Sequence, residues 1–259
     1  MRVVIPMSGK GSRFLRAGYS KPKPLIEVLG KPMIEWVVSM FPGATDFTFI
    51  CREDHLRDTE LREVLNRVAP QGKILSISPH KLGPVHALLK SVEYLSQSGP
   101  SDSSYMVSYC DYYMHWDFAD FEKVMLHGAF DGAVPCYSGF HPHLIPAKNL
   151  YAGCRVDQER NLLEIKEKYS FEEDKKKGFH SPGAYYFQTL STLEKYCQRL
   201  VDQDLHLGGE YYVSMVYEGL LKDQLKVHVY DKISHFCQWG TPEDLNEFDF
   251  WIKRAKELT

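Results

Sequence analysis

Short apolar runs alternate with amphipathic segments through the first half of the chain. The runs predict buried strands, and the segments between them, whose apolar residues recur every three or four positions, predict helices. The predicted strands are residues 3–6, 47–52, 73–78 and 105–110, and the predicted helices are residues 32–40, 56–68 and 85–95. This alternation predicts an α/β fold in which a mostly parallel sheet carries helices on both faces.

The second half is richer in strand-like runs, at residues 132–137, 150–157, 162–168, 183–187 and 224–230. Its predicted helices are residues 190–200, 210–221 and 242–258. We find no internal repeat and no convincing linker between the halves, and a chain of this length can bury a substantial core. We therefore expect a single large domain over residues 1–259.

A basic, glycine-containing loop follows the first strand. The chain there reads Pro6-Met7-Ser8-Gly9-Lys10-Gly11-Ser12-Arg13, and Lys23 follows between two prolines. Glycines at the end of a strand let the backbone approach a ligand, and their N–H groups can face an anion. Ligands of parallel α/β sheets bind outside the carboxyl ends of the strands. We interpret this loop as a site for the phosphates of a nucleoside triphosphate (NTP).

Other glycine loops fit this segment less well. A Rossmann dinucleotide loop needs a third glycine where Phe14 stands, and Glu53 and Asp54 lie about twice as far along as its ribose-binding acid. A Walker P-loop needs a different spacing of glycine and lysine. An ordinary turn is the remaining alternative, but it would explain neither the cations nor the Pro-Lys-Pro segment.

The charge distribution supports a localised anionic ligand. Residues 1–40 carry a formal charge of +5, in a chain whose formal net charge is −3. General nucleic-acid binding usually requires a basic domain, so we expect no nucleic-acid partner. No apolar run approaches the ~20 residues of a membrane span, and the first residues lack the pattern of a signal peptide. We therefore expect a cytoplasmic protein without membrane association, whose six scattered cysteines are free thiols.

The N-terminal motifs resemble those of a known family. The segments P-M-S-G-K-G-S-R-F and P-K-P-L-I-E-V-L-G-K-P-M-I are similar to those of sugar-1-phosphate nucleotidyltransferases, also called nucleotide-sugar pyrophosphorylases. The resemblance covers nearly the whole chain. It implies a Rossmann-like α/β fold, with a nucleotide-binding half at residues 1–120 and an acceptor-binding half at residues 121–259. It also implies Mg²⁺-dependent transfer of a nucleotidyl group from an NTP to a phosphate monoester, with release of pyrophosphate.

The same resemblance assigns roles to the first half. Arg13 would stabilise the departing pyrophosphate, and Lys23 would contact the phosphates at the reacting centre. The nucleotide would be bound by Met7, Ser8, Gly9, Lys10, Gly11, Ser12, Lys81 and Gly83. The base-recognition segment departs from the family, because Lys81 replaces a glutamine and Pro84 a threonine. The identity of the base therefore stays open.

Asp111 is the candidate Mg²⁺ ligand. It follows an apolar strand, as the family's metal-binding aspartate does, and Asp117 is a weaker alternative. Many members place a second acid just before a Gly-Thr pair near the C-terminus, where this chain has Gln238. The second ligand is therefore uncertain. Glu243 and Asp244 are expected in the first turn of the last helix, where its dipole favours acids.

In the acceptor half, the resemblance implies that Glu167 accepts hydrogen bonds from sugar hydroxyls and that Lys168 binds the acceptor phosphate. Gly183 would let the acceptor pack against the backbone, and Glu210 could reach it, although placement at a helix start explains Glu210 equally well. Further candidates for this pocket are His141, His143, Tyr185 and Tyr186. The acceptor stays open among sugar 1-phosphates and other small phosphate monoesters, such as phosphocholine or an alditol phosphate. Whether the chain forms a homo-oligomer also stays open.

Two other functions remain alternatives. A glycosyltransferase of related fold would use a D-x-D metal motif, whereas this chain reads Asp111-Tyr112-Tyr113. A non-catalytic protein that binds nucleotide sugars would not need so many phosphate ligands, but the missing C-terminal acid keeps that alternative open. The triphosphate loop favours the nucleotidyltransferase.

Overall fold

A computed structural model describes residues 1–100 and 102–258. The strands are β1 (Arg2–Met7), β2 (Glu27–Val28), β3 (Lys31–Pro32), β4 (Phe47–Arg52), β5 (Lys73–Ile77), β6 (Tyr105–Ser108), β7 (Tyr112–His115), β8 (Gly132–Pro135), β9 (Gly153–Val156), β10 (Leu162–Lys166), β11 (Phe179–His180), β12 (Ala184–Phe187), β13 (Val227–Tyr230) and β14 (His235–Gln238). The helices are α1 (Ser12–Arg16), α2 (Met33–Ser39), α3 (Glu53–Asp58), α4 (Leu61–Val68), α5 (Pro84–Gln97), α6 (Phe118–Gly128), α7 (Leu190–Asp202), α8 (Val213–Lys222) and α9 (Pro242–Leu258).

A seven-stranded sheet in the order β13-β8-β12-β6-β1-β4-β5 forms the centre of the fold. All neighbouring strands are parallel except β12, which runs antiparallel to both β6 and β8. The prediction of an α/β fold with a mostly parallel mixed sheet is confirmed. Because β8, β12 and β13 come from the second half, both halves of the chain build one sheet.

Helices cover both faces of this sheet, as predicted. Successive side chains of a strand point to opposite faces. Val3 and Ile5 of β1 therefore join the core that packs under α2, α4 and α6, whereas Val4 joins the core under α5, α7 and α8. All three side chains are fully buried. Two apolar layers thus hold the carboxyl ends of β1 and β6 at fixed positions.

Several predicted elements have different bounds. The helix predicted at residues 56–68 is two helices, α3 and α4, because Thr59 between them is extended. Of the strand predicted at residues 150–157, only the part that is β9 forms a strand. The helix predicted from residue 210 begins at Val213. The pattern did not predict α6, whose Asp117 accepts a hydrogen bond from the Asp120 N–H as the N-cap. It also missed β7 and β14, which pair as a separate antiparallel ribbon.

None of the helices in residues 1–100 and 102–258 combines the length and the apolar character that crossing a membrane requires. All six cysteines are free thiols, and five of them are buried.

Candidate active site

The basic loop joins the end of β1 to α1. Gly11 lies in the left-handed region, at a φ of 66°, where a side chain would be strained. A Cβ at Gly11 would lie 3.7 Å from the Cβ of Lys23, so the loop packs closely against the Pro-Lys-Pro segment. Phe14 is buried and anchors α1, while Lys10 and Arg13 are exposed. The loop therefore presents its charges to solvent from a fixed backbone.

Lys23 and Asp111 meet at the centre of the site. The Lys23 ammonium donates to the Asp111 carboxylate and, at 3.0 Å, to the carbonyl oxygen of Gly240. It also lies 5.5 Å from the centroid of the Phe14 ring. The three segments that meet here are the Pro-Lys-Pro segment, the turn after β6 and the turn after β14. The fold thus places a cation and a carboxylate beside the basic loop.

These groups border a cavity of about 600 Å³. Its lining includes sixteen of the residues that the sequence analysis assigned to nucleotide, acceptor or metal: Met7, Ser8, Gly9, Lys10, Gly11, Ser12, Arg13, Lys23, Lys81, Gly83, Asp111, Glu167, Lys168, Gly183, Glu210 and Gln238. The structure brings these residues together. Their individual roles stay predictions.

The end of the cavity that is predicted to bind the acceptor is an ordered network of side chains. The Ser214 hydroxyl donates to Glu167 at 2.5 Å, and burial raises the pKa of the Glu167 carboxyl. The Lys168 ammonium donates to the Tyr212 hydroxyl at 2.9 Å and lies 4.4 Å from the centroid of that ring. The Tyr212 hydroxyl in turn donates to Glu210 at 2.5 Å. The cation and the two carboxylates are thus held in place by hydroxyl groups.

At two glycines, a close contact and a positive φ leave no room for a side chain. At Gly183, with a φ of 107°, a Cβ would lie 2.8 Å from Cδ2 of Tyr109. At Gly83, with a φ of 83°, a Cβ would lie 2.8 Å from the carbonyl oxygen of Tyr211. The Tyr211 N–H also donates to the Leu82 carbonyl at 3.0 Å. A side chain at Gly183 would displace Tyr109, which lines the cavity, and one at Gly83 would displace the backbone of Tyr211.

Ser8 and His80 form the contact between the basic loop and residues 80–87, the segment predicted to recognise the base. The Leu82 N–H is directed at Nδ1 of His80 at 3.3 Å, so Nδ1 is the acceptor and Nε2 carries the proton. Nε2 then donates to the Ser8 hydroxyl at 2.9 Å. Burial lowers the pKa of His80, which favours this neutral form. The hydroxyl proton of Ser8 is therefore available to a ligand.

The oxygen groups near Asp111 suit a hard divalent cation. Gln238 is buried, and its amide N–H₂ donates to Oδ1 of Asp244. The other amide atom, Oε1, has no hydrogen-bond partner among the described residues. Burial raises the pKa of the Asp244 carboxyl. Carboxylate and amide oxygens are the ligands that Mg²⁺ and Ca²⁺ take, so the donor set fits Mg²⁺.

In residues 1–100 and 102–258, no three or more histidine, cysteine or acidic side chains are arranged so that together they could hold a metal ion. Asp117, the alternative ligand, is instead the N-cap of α6. His141, His143 and Tyr186 are not among the lining residues, whereas Tyr185 is. The two histidines belong to a buried aromatic cluster around Tyr137.

The sequence did not single out several lining residues as ligands: Tyr109, Tyr151, Ser181, Tyr212, Phe236 and Asp244. Tyr109 could have been found, because it lies two residues before Asp111 on the same strand end. Tyr212 stands in the quoted G-E-Y-Y segment. Asp244 was correctly predicted in the first turn of α9, but the pattern does not reveal that it faces Gln238.

Comparison with protein families identifies the first two thirds of the chain. The family described as MobA-like NTP transferase domain matches residues 3–171, so the chain belongs to that family. The matched region contains the basic loop, Lys23, Asp111 and the Glu167-Lys168 pair. No curated protein matches the chain by sequence.

Solved structures share the fold over nearly the whole chain. A nucleoside-diphosphate-sugar pyrophosphorylase from Vibrio cholerae is 22% identical, with 95% of this chain and 98% of that chain covered and a TM-score of 0.77. An inositol-1-phosphate CTP transferase from T. maritima is 15% identical, with coverage of 96% and 93% and a TM-score of 0.72. At these identities, the likeness establishes the fold.

Proposed function

We propose that this member of the NTP transferase family transfers a nucleoside monophosphate from an NTP to a sugar 1-phosphate or a similar small phosphate monoester, and releases pyrophosphate. The observation that carries the proposal is the contact between Lys23 and Asp111 beside the basic loop, in a cavity that continues to Lys168. A phosphate-binding cation, a metal-binding carboxylate and a second cation for the acceptor are the groups that this reaction requires. The names of the two structural neighbours, both of which describe nucleotidyl-type transferases, support the same reaction class.

The reaction needs no protein nucleophile. A phosphate oxygen of the acceptor attacks the α-phosphorus of the NTP, a new P–O bond forms, and the bond from the α-phosphorus to the bridging oxygen breaks. Pyrophosphate leaves with the electron pair of that bond. Catalysis then depends on positioning and on neutralising charge. Arg13 and Lys23 supply positive charge on the triphosphate side, and Lys168 holds the acceptor phosphate.

Asp111 and the oxygens around it would hold Mg²⁺. When bound, such an ion neutralises phosphate charge and orients the triphosphate. Among the protein groups, Glu167 would accept hydrogen bonds from acceptor hydroxyls, and the contact of Ser214 with only one of its carboxylate oxygens in the described structure supports this role. Tyr212 holds the Lys168 ammonium in place before the acceptor arrives.

Pyrophosphate release tests the proposal directly. The purified protein is assayed with each of the four NTPs against a panel of sugar 1-phosphates, phosphocholine and alditol phosphates, in the presence of Mg²⁺. We expect one combination of NTP and acceptor to give rapid release, and omission of the acceptor to abolish it. The product, a nucleoside diphosphate derivative, is identified by mass spectrometry.

The same panel separates the alternatives. A glycosyltransferase would release no pyrophosphate but would consume a nucleotide sugar in the presence of an acceptor alcohol. A non-catalytic binding protein would be stabilised thermally by a nucleotide sugar without turnover. Either result would contradict the proposed reaction.

A further inference from the structure

We propose that Asp244 is the second carboxylate of the divalent-cation site, opposite Asp111, and that Gln238 is the positioning residue that orients it. The proposal rests on the proposed function, which calls for a divalent cation beside the triphosphate. In the family pattern the acid stands at the position of Gln238. In this chain Gln238 is neutral, and the carboxylate that we propose instead is that of Asp244, six residues later in the first turn of α9.

The two carboxylates converge on Gly240. The position that a Gly240 Cβ would take lies 3.6 Å from Oδ2 of Asp111 and 3.8 Å from Oδ2 of Asp244. Gly240 contributes only backbone here, and its carbonyl already accepts a hydrogen bond from the Lys23 ammonium at 3.0 Å. The space between the two carboxylates is therefore bordered by oxygen atoms, and the glycine at position 240 leaves it open because it has no Cβ.

Gln238 explains why Asp244 faces this space. Its amide N–H₂ holds Oδ1 of Asp244, which leaves Oδ2 on the side of Gly240. Metal-binding carboxylates are commonly oriented by such outer hydrogen bonds. The Thr241 hydroxyl accepts the Asp244 N–H at 3.2 Å and fixes the start of α9. Gln238 thus holds the side chain of Asp244, and Thr241 holds its backbone.

The Oε1 atom of Gln238 is an independent indication of a ligand. The side chain is 8% exposed, it lines the cavity, and Oε1 has no partner among the described residues. Buried polar atoms are normally paired with protein or with water. A divalent cation held by Asp111 and Asp244, or a water on that cation, would supply the missing partner.

The charges in this corner agree with the assignment. Asp111 and Asp244 carry two negative charges, and the Lys23 ammonium in contact with Asp111 carries one positive charge. A divalent cation that takes the Asp111 carboxylate would free Lys23 for a phosphate oxygen. The proposed role of Asp111 as a metal ligand and that of Lys23 as a phosphate-binding group are then compatible. The contact between them is replaced by one contact from Asp111 to the cation and one from Lys23 to the phosphate.

Binding of Mn²⁺ alone, without nucleotide, tests the inference. Mn²⁺ takes the same oxygen ligands as Mg²⁺, and its free ion is counted by electron paramagnetic resonance. The proteins compared are the wild type, Asp244→Asn, Asp111→Asn and the matched control Glu243→Gln, which removes an exposed acid from the same helical turn. We expect Asp244→Asn and Asp111→Asn each to weaken Mn²⁺ binding by roughly tenfold or more, and Glu243→Gln to leave it unchanged.

A double-mutant cycle tests the role of Gln238. Gln238→Leu removes the amide that orients Asp244, and we expect it to weaken Mn²⁺ binding in the wild-type background. In the Asp244→Asn background the same change should have a clearly smaller effect, limited to the contact of Oε1 with the cation or its water, because the route through Asp244 has been removed. A Gln238→Leu effect of the same size in both backgrounds would overturn the positioning role.

Failure of this inference is distinguishable from failure of the proposed function. Mn²⁺ binding that is equal in the wild type and Asp244→Asn, or absent from the wild type, overturns the assignment of Asp244 whatever the enzyme assay shows. Loss of turnover on all NTP and acceptor pairs, with tight Mn²⁺ binding that depends on Asp244, would instead refute the proposed reaction alone. Far-ultraviolet circular dichroism of each variant confirms that the fold is retained.

Discussion

The two ends of the cavity are built in different ways. The end proposed to bind the triphosphate, the triphosphate end, comes from one short part of the sequence, between Met7 and Lys23, and its cations Lys10 and Arg13 are exposed. The end proposed to bind the acceptor, the acceptor end, is assembled from β10, the start of α8 and the loops beside them, and its Lys168 is held by Tyr212. The first end carries its charge on a loop, whereas the second carries it inside a hydrogen-bonded network.

The difference has consequences for energetics. Exposed cations contribute little to folding, because water screens them and their partners are absent until a ligand binds. Side chains in a hydrogen-bonded network contribute to both folding and binding, since each removal leaves another group without its partner. We therefore expect substitutions of the exposed cations Lys10 and Arg13 to change activity with little change in stability. Substitutions at the acceptor end and around it should change both.

The largest expected effect is at the triphosphate end. Arg13→Ala and Lys23→Ala should each lower the rate of pyrophosphate release on the order of 10²- to 10³-fold, because each removes a preorganised charge that acts on the phosphates. The measurement is the steady-state rate with saturating NTP and acceptor.

Lys21→Ala is the matched control for Lys23→Ala. Lys21 lies two residues away in the same proline-rich segment, but it pairs with Glu60 at 3.0 Å on the surface. Its removal should leave the rate unchanged. Full activity of both Arg13→Ala and Lys23→Ala would remove the basis of the proposed function, and unfolding of Arg13→Ala would contradict the comparison between the two ends.

The next effect is on stability, at the glycine that separates β12 from the cavity. Gly183→Ala should lower the free energy of unfolding by about 3 kcal/mol, because it combines the strain of a left-handed residue with a contact of 2.8 Å to the Tyr109 ring. Gly139→Ala is the control, since Gly139 has a φ of 85° with open space around it. It should cost only about 1–2 kcal/mol. Urea unfolding measures the free energy of unfolding of both variants. Equal decreases would show that the Tyr109 ring moves away from the new Cβ with no loss of stability.

The same contrast explains what the sequence could predict. The central strands were found because each is a short apolar run whose burial is visible locally, as in residues 47–52. The ribbon of β7 and β14 was missed because its strands of four residues each pair over a long separation in sequence. The α6 helix was missed although Phe118, Phe121 and Met125 of its buried face recur with helical spacing.

The site shows the same division. The residues of the triphosphate loop were predicted as a group because they are consecutive and carry a motif. Asp244 was placed on the correct helix turn, but its contact with Gln238 depends on how α9 packs against β14. His141 and His143 were candidates for the acceptor pocket and are instead part of the aromatic core, because burial of a histidine depends on tertiary packing.

A smaller effect on binding is expected at the acceptor end. Lys168→Ala should raise the KM for the acceptor roughly ten- to hundredfold, since a hydrogen bond to a charged phosphate contributes about 1.5–3 kcal/mol. The KM for the NTP should change less. Lys166→Ala is the control, because that lysine is exposed and lies 4.3 Å from the centroid of the Tyr169 ring. Equal increases in both KM values would contradict the assignment of Lys168 to the acceptor.

The smallest expected effect concerns pH and the buried aromatic cluster around Tyr137, part of which lines the cavity. The His143 ring lies 4.9 Å from that of Tyr151 and 5.2 Å from that of Phe236, two residues that line the cavity. Desolvation is the main cause that lowers the pKa of His143, from 6.5 to about 3, and the neighbouring histidine His141 adds to it. The unfolded chain therefore binds a proton below pH 6.5 that the folded chain excludes.

His143 therefore lowers the free energy of unfolding progressively as the pH falls from about 6.5 towards 3. Above pH 6.5 it has no such effect, because the ring is neutral in both the folded and the unfolded chain. Urea unfolding at pH 7 and pH 5.5 gives the free energy of unfolding at each pH. We expect its decrease between pH 7 and pH 5.5 to be smaller in His143→Gln than in the wild type by on the order of 1 kcal/mol, because glutamine cannot take up the proton. Glutamine can still pair with the Tyr137 hydroxyl, which His143 contacts at 2.8 Å. His127→Gln, at an exposed position on α6, should keep the wild-type loss. An unchanged loss in His143→Gln would mean that the folded chain binds the proton at His143 as readily as the unfolded chain does, and burial of this ring would then not be the cause of the loss.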